Sequence, residues 1–409
     1  MTEDEKKVLS CIDRDEIIAF MQDIIRARSD YPPGDTRDMA KLCSDKLKSA
    51  GIETQILTPP PEVTSIWDDH VDNSTMPSVI GTIKGSGGPL LVLNAHIDTV
   101  QAGNLSEWKH DPFAAVIDED RIYGRGAGDD KGSVLAQIMA SVAIARAGIP
   151  LKGTLQVNPV ADEEATSYRG AKWLRDAGYL KPDMLIVGEQ TDNVVACAER
   201  AIVYYRVTIK GKASHGAMPW KGNNATVRMA EFINLVHEEL IPEVQKIKHP
   251  YLPLTTISTT KIEGGIKTNI IPELCTLEID CRLCPGITED KILKRFNDLL
   301  KKLSDRGPAF GWDVKIIYTE GGIATDTSPE SPLIKTMLNA AEEVTGKYTP
   351  PTGYNQASDG RVFSASKIPI AIFGPGDPGL GHSPNEFVPI NQLVEATKIL
   401  ALTILRLIG

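Results

Sequence analysis

Apolar residues in the first half of the chain fall into short continuous runs separated by longer helical patterns. Leu90-Leu91-Val92-Leu93-Asn94-Ala95 is an apolar run that ends in polar residues, the pattern of a strand buried on both faces of a parallel sheet. From Lys131 to Ala147 the apolar positions Val134, Leu135, Ile138, Met139, Val142 and Ile144 recur at helical spacing. Residues 154–160 predict a second strand, 171–177 part of a helix, and 184–187 a third strand. A βαβ rhythm of this kind predicts an α/β domain with a mostly parallel sheet covered by helices.

Near Ala196 the pattern changes. Residues 201–209 alternate as a half-buried strand does, and 255–262, 274–283 and 312–318 predict three more strands. Helical spacing covers 224–240 and 288–303. The order βαββαβ over roughly 120 residues predicts an inserted α+β domain of ferredoxin-like type. The α/β rhythm then returns, with a helix at 332–344, a strand at 368–373 and a closing helix at 391–407. The expected organisation is one α/β domain made of 1–198 and 319–409, interrupted by a smaller domain at 199–318. No internal repeat or low-complexity segment stands out.

Composition narrows the function classes. A chain of 409 residues allows two or three domains, and 42% hydrophobic with 24% charged residues is a globular composition. A net charge of -10 argues against a nucleic-acid partner. No apolar run approaches the ~18 residues that predict a membrane span. The charged start, Met1-Thr2-Glu3-Asp4-Glu5-Lys6-Lys7, does not read as a secretory signal. Cys11, Cys43, Cys197, Cys275, Cys281 and Cys284 are scattered and do not form a disulfide pattern. A soluble, acidic protein of the cytoplasm is expected.

The candidate chemistry lies where the predicted strands end, the usual ligand-binding edge of such sheets. His96-Ile97-Asp98 places an imidazole and a carboxylate on one side of an extended chain, so the acid can orient a metal-bound histidine. Gly124-Arg125-Gly126-Ala127-Gly128-Asp129-Asp130-Lys131-Gly132 opens a helix. It lacks the third glycine of a dinucleotide loop, and its two acids would face a pyrophosphate. Asp162-Glu163-Glu164 follows an apolar strand, where three adjacent acids repel one another unless a cation lies near. Gly188-Glu189-Gln190 and Gly381-His382-Ser383-Pro384-Asn385-Glu386 complete the group. Each segment alone also fits an ordinary cap, loop or hydrogen-bonded pair. Together they supply two histidines and three acids, Asp129, Glu164 and Glu189, enough for two zinc ions sharing a bridging carboxylate, with Glu163 left over as a base.

In this order the motifs HxD, GRGAxDxKG, DEE, GE and HSPNE resemble those of the acetylornithine deacetylase / succinyl-diaminopimelate desuccinylase / carboxypeptidase G / aminoacylase family of metallohydrolases, and the resemblance covers nearly the whole chain. It implies two divalent metal ions, most readily Zn2+, with Co2+ or Mn2+ as alternatives. His96, Asp129 and Glu189 would hold one ion. Glu164, Asp129 and His382 would hold the other. Asp98 would orient His96, Glu163 would act as general base and acid, and the 129–130 peptide would be cis. Lys212-Ala213-Ser214-His215-Gly216 is similar to the family's SHG element, whose histidine reaches the partner's active site in dimeric members. The inserted domain would then serve as lid and dimerisation domain. Asn269, after Gly264-Gly265, and Arg282, in Asp280-Cys281-Arg282, resemble anchors for a substrate carboxylate, a task that suits arginine.

The resemblance thus implies an amidohydrolase, acting as a homodimer on a carboxylate-bearing N-acyl amino acid. A metallo-carboxypeptidase or dipeptidase is the alternative, and a non-catalytic binding relative a weaker one. Glu189 and the Tyr354-Asn355-Gln356-Ala357-Ser358-Asp359-Gly360-Arg361 stretch resemble the deacetylase/desuccinylase branch. Cys281 and Cys284 read as incidental to a strand end. His70, His110, His237 and His249 read as structural.

Overall fold

Four of the apolar runs form the middle of one sheet. In a computed structural model, which describes residues 1–65, 71–319 and 323–409, the strands Thr154–Val160, Leu90–His96, Met184–Val187 and Ile370–Ile372 lie side by side and parallel. His70 lies outside the described residues. Leu91, Val92 and Leu93 are fully buried, as continuous apolar strands should be when helices cover both faces. The edges are antiparallel. Ser78–Ile83 and Glu53–Leu57 extend one side, and Ala196–Glu199 the other. The sheet is therefore mixed, with a parallel centre.

The helix Lys131–Ala147 is buried almost all round, packed by Arg14–Arg26 and Ile390–Ile408, and ends at Gly148 in the left-handed conformation (φ 64°) that glycine adopts without strain. These elements belong to one compact unit, Met1–Ala198 with Asp326–Tyr354 and Ser358–Gly409.

The second unit is Glu199–Thr325 with Asn355–Ala357. Its strands run in the order Thr256–Gly264, Leu274–Leu283, Ala201–Lys210, Gly311–Thr319, all antiparallel, which is the ferredoxin-like arrangement. Alternate residues of Leu274–Leu283 are buried, namely Cys275, Leu277, Ile279, Cys281 and Leu283. They join Val203, Tyr205, Val207 and Ile209 against Phe232 and Phe296.

Two boundaries differ from expectation. The return to the first unit falls at Asp326, not at residue 319, because the Glu199 amide donates to Thr325 Oγ1 (3.0 Å) and ties the ends of the insertion together. The helix expected over 224–240 is Ala225–Leu235, followed by a π turn at Val236–Leu240 and a further helical turn at Ile241–Val244. Pro242 in that last turn has no N–H to continue the regular ladder.

Candidate metal centre

The carboxyl ends of three central strands deliver the acids and one imidazole to one place. His96 is the last residue of its strand, Glu163 and Glu164 follow Val160, and Glu189 follows Val187. Gly188 permits the close approach, since a Cβ there would lie 2.6 Å from the Ala95 Cβ. Asp129 precedes the helix Lys131–Ala147, and the Asp129–Asp130 peptide is cis. His382 comes from the loop after Ile370–Ile372, behind Gly381, whose missing side chain leaves room for Asp129 Oδ2.

Two triads result. His96, Asp129 and Glu189 offer ligand atoms within 4.8 Å of one another, and so do Asp129, Glu164 and His382. Asp129 is common to both. Its Oδ1 lies 3.0 Å from His96 Nε2, and its Oδ2 lies 3.4 Å from His382 Nε2. His382 Nε2 is also 3.0 Å from Glu164 Oε2.

A shell of hydrogen bonds holds these groups. His96 Nδ1 meets the backbone carbonyl of Asp98 at 2.9 Å, while the Asp98 carboxylate stands 3.7 Å away. The carboxylate instead accepts from the amides of Glu163 (3.3 Å) and Glu164 (3.1 Å), so Asp98 fixes the acidic turn as well as the imidazole. The Tyr354 hydroxyl donates to Glu189 Oε2 (2.8 Å), and the Arg361 guanidinium donates to Glu163 Oε1 (2.6 Å). Glu386 is wholly buried. It accepts from Arg125 Nη1 (2.6 Å) and from the amides of Gly126 (3.0 Å), Gly128 (2.8 Å) and Asp129 (3.0 Å). The loop that carries His382 thus also clamps the loop that carries Asp129.

Sequence reasoning assigned no role to Glu386, Tyr354 or Arg361. The available signal was the acid closing HSPNE and the arginine ending SDGR.

The electrostatics of the cluster ask for a cation. Burial, and then the nearby Asp129 charge, push Glu164 up to about 7. Burial, reinforced by Asp130, holds Glu189 well above the usual carboxylate range. Burial works against protonation of His96, yet the Asp129 and Asp98 carboxylates outweigh it and raise its pKa well above that of a free imidazole. The Glu164 hydrogen bond raises His382 to about 9. Acids driven to hold protons and imidazoles driven to become cations are the response of a site whose negative charge lacks a counter-ion. Carboxylate and imidazole donors in this mixture suit a divalent metal such as zinc.

The other three expected residues lie in the second unit. Ser214–His215 pairs with Ile270–Ile271, and the Gly216 amide donates to the Asn269 carbonyl (2.8 Å), so His215 and Asn269 share one short ribbon. Both are exposed. Arg282 is paired through Nε and Nη2 with Asp280 (2.8 and 3.0 Å) on the same strand. Cys281 and Cys284 are buried free thiols, with Cys284 Sγ 3.0 Å from the Pro253 carbonyl.

A mixed α/β sheet with two acid–imidazole triads at its strand ends defines a metallohydrolase. The sequence matches peptidase family M20/M25/M40 over residues 92–406, and the chain belongs to that family. A probable succinyl-diaminopimelate desuccinylase from Staphylococcus aureus is 29% identical over 332 residues, covering 74% of this chain and 80% of the relative. Among solved structures, aminopeptidase PepT from Bacillus cereus superposes with a TM-score of 0.75 at 18% identity, over 97% of this chain and 99% of that one. A dinuclear metal-binding peptidase of family M20 from Bacillus subtilis gives 0.67 at 17% identity, over 96% and 98%. The protein is an enzyme of the family's hydrolytic type, acting on amide bonds.

Proposed function

We propose that the protein is a dinuclear amidohydrolase that removes the acyl group from an N-acylated amino acid, in the manner of desuccinylases and acetylornithine-type deacetylases. The observation that carries this reading is the pair of triads sharing Asp129, with Glu163 next to the triad member Glu164 on the turn that Asp98 holds. Similarity to a protein named as a desuccinylase supports the acyl class. Similarity in fold to an aminopeptidase keeps a peptidase acting on short peptides as the second reading.

His96, Asp129 and Glu189 would hold one ion, and Asp129, Glu164 and His382 the other. Two divalent ions there would lower the pKa of a water and stabilise charge on the amide oxygen. Zinc fits the donors best, and cobalt and manganese use similar ligands. Glu163 takes the proton of the attacking water and passes it to the leaving amine. Asn269 and Arg282 anchor the substrate carboxylate, with Arg282 exchanging Asp280 for the ligand. His215, supplied by the partner in a homodimer, donates to the carbonyl oxygen as the bond breaks, and the inserted unit serves as the dimerisation and lid domain. The buried free thiols fit a reducing cytoplasmic setting.

The test is amine release from N-succinyl and N-acetyl amino acids and from dipeptides, with metal-loaded protein and a chelated control. Chelator-sensitive release from the acylated amino acids alone supports the reading. Cleavage of the dipeptides alone replaces it with the peptidase.

A further inference from the structure

We propose that Arg361 is the positioning residue that aims the Glu163 carboxylate, and that it is itself fixed by a chain of buried polar groups running back into the central sheet. The proposal rests on the reading of Glu163 as the proton carrier.

The turn after Thr154–Val160 sets only the backbone of Glu163, whose amide donates to Asp98. Three rotatable bonds separate that backbone from the carboxylate oxygens, so a second constraint is needed to fix their direction. Arg361 supplies it. Nη1 donates to Glu163 Oε1 at 2.6 Å, between side chains only 7% and 11% exposed. The same nitrogen donates to the Ser358 carbonyl (2.9 Å), and Nη2 donates to Ser167 Oγ (3.0 Å).

Ser167 is held in turn. Its hydroxyl donates to Asp359 Oδ1 (2.5 Å), and Asp359 Oδ2 accepts from Asn94 Nδ2 (2.9 Å). Asn94 Oδ1 accepts from Asn158 Nδ2 (2.8 Å), its register partner on the adjacent central strand. The guanidinium is therefore braced, through buried side chains, against the central parallel strands of the first unit. A fork of donors serves three separate acceptors at once, which an ammonium on a flexible stem cannot reproduce.

Stability alone is a poor reason to keep such a pair. Buried ion pairs commonly break even against apolar replacements, because the cost of desolvation offsets the attraction. A segment that also sends Tyr354 to Glu189 fits better as a scaffold for the site's carboxylates. With Oε1 engaged by Arg361, Oε2 is the oxygen left to carry the proton.

The experiment uses the full-length, metal-loaded protein and whichever acylated amino acid or dipeptide the wild type cleaves. Arg361→Ala should lower kcat by roughly 10²-fold, the scale of a misplaced reacting group. KM should stay within about threefold and metal content should be unchanged, because the substitution removes neither a ligand nor a substrate contact. Added guanidinium ion should restore part of kcat, and Arg361→Lys should fall between. In a Glu163→Gln background, Arg361→Ala should cost little more, since Arg361 acts through Glu163.

The same loss in both backgrounds, or a change confined to KM or metal content, overturns the proposal. A Glu163→Gln enzyme with near-normal turnover overturns the parent reading instead. Should Arg361→Ala fail to fold, or the wild type cleave nothing tried, a crystal structure of Arg361→Gln decides. A Glu163 carboxylate that swings away supports positioning, and one that stays in place overturns it.

Discussion

The two units present their motif residues in opposite ways. In the first unit Asp129, Glu189 and His96 are buried, drawn from separate strands and loops, and held by a shell of hydrogen bonds. A fold has no structural use for so many unneutralised acids in one place, so their burial is itself an argument for a cation. In the second unit His215 and Asn269 stand exposed on a ribbon, and Arg282 is satisfied by Asp280. Burial of charge marks a site within one folded chain, whereas residues that act on a ligand or a second chain carry no such mark until that partner is present.

The largest expected effect tests the first half of that contrast. Glu163→Ala should keep both metals and lose roughly 10²–10⁴ in kcat, the scale of general acid–base help. Normal turnover, or loss of metal, would break the division between proton carrier and ligands. Next comes the second half. His215→Ala should lower kcat by roughly 10²–10³, the scale of one lost donor to a developing oxyanion, with metal content and thermal midpoint unchanged. An unchanged kcat would leave the exposed ribbon without a role in the chemistry.

Physical reasons decide what the sequence disclosed. The four parallel strands were legible because strands buried on both faces carry short apolar runs, as in residues 90–93 before the polar end of the strand Leu90–His96. The antiparallel edges Glu53–Leu57 and Ser78–Ile83 were not, because neither alternates: the first is largely exposed, and the second is buried without a break from Ser78 to Gly81 with a serine and a glycine in the run, so no clear period results. Four of the five expected ligands that meet in the two triads lie at or after a strand end or open a helix, where motif and position coincide, and the fifth, His382, is brought in by the loop after Ile370–Ile372. Glu386, Tyr354 and Arg361 lay within quoted motifs but received no role, because their partners are distant in sequence. Glu386 reaches the 126–129 loop, more than 250 residues earlier, and Arg361 meets Glu163, 198 residues earlier. Such pairings are set by topology, which local pattern does not encode.

Glu386 sharpens the comparison at a smaller scale. Glu386→Gln keeps the shape but removes the charge opposite Arg125, leaving a buried guanidinium uncompensated and loosening the amides of Gly128 and Asp129. Metal affinity should fall roughly 10–100-fold, as when a partner of a ligand is lost. The apo protein should also be less stable, because the buried pair is broken from one side. Isothermal titration with the metal and a urea unfolding series on apo protein measure the two. Unchanged affinity would reduce the clamp to a packing detail.

The smallest effect comes from a carboxylate of the same unit in the opposite condition. Glu16 on the helix Arg14–Arg26 meets Arg146 (2.6 Å) and Lys46 (2.7 Å), and these bonds, Arg146 first, bring its pKa down to about 2 despite some burial. Because the folded value lies below the ordinary 4.5, the pair stabilises fully above that pH and loses its contribution as pH falls through 4.5 toward 2. Glu16→Gln should therefore cost about 1 kcal/mol at neutral pH, a half-exposed network being worth little more, and progressively less under acid. Urea midpoints of the two proteins at about pH 7 and about pH 3 read the difference. A gap that persists at the lower pH would mean that Glu16 contributes through packing, not charge. Burial raises all three carboxylates, but Glu164 and Glu189 stay raised because, among the described residues, no Arg or Lys pairs with them as Arg146 and Lys46 pair with Glu16, and supplying that positive charge is the part left to the metal ions.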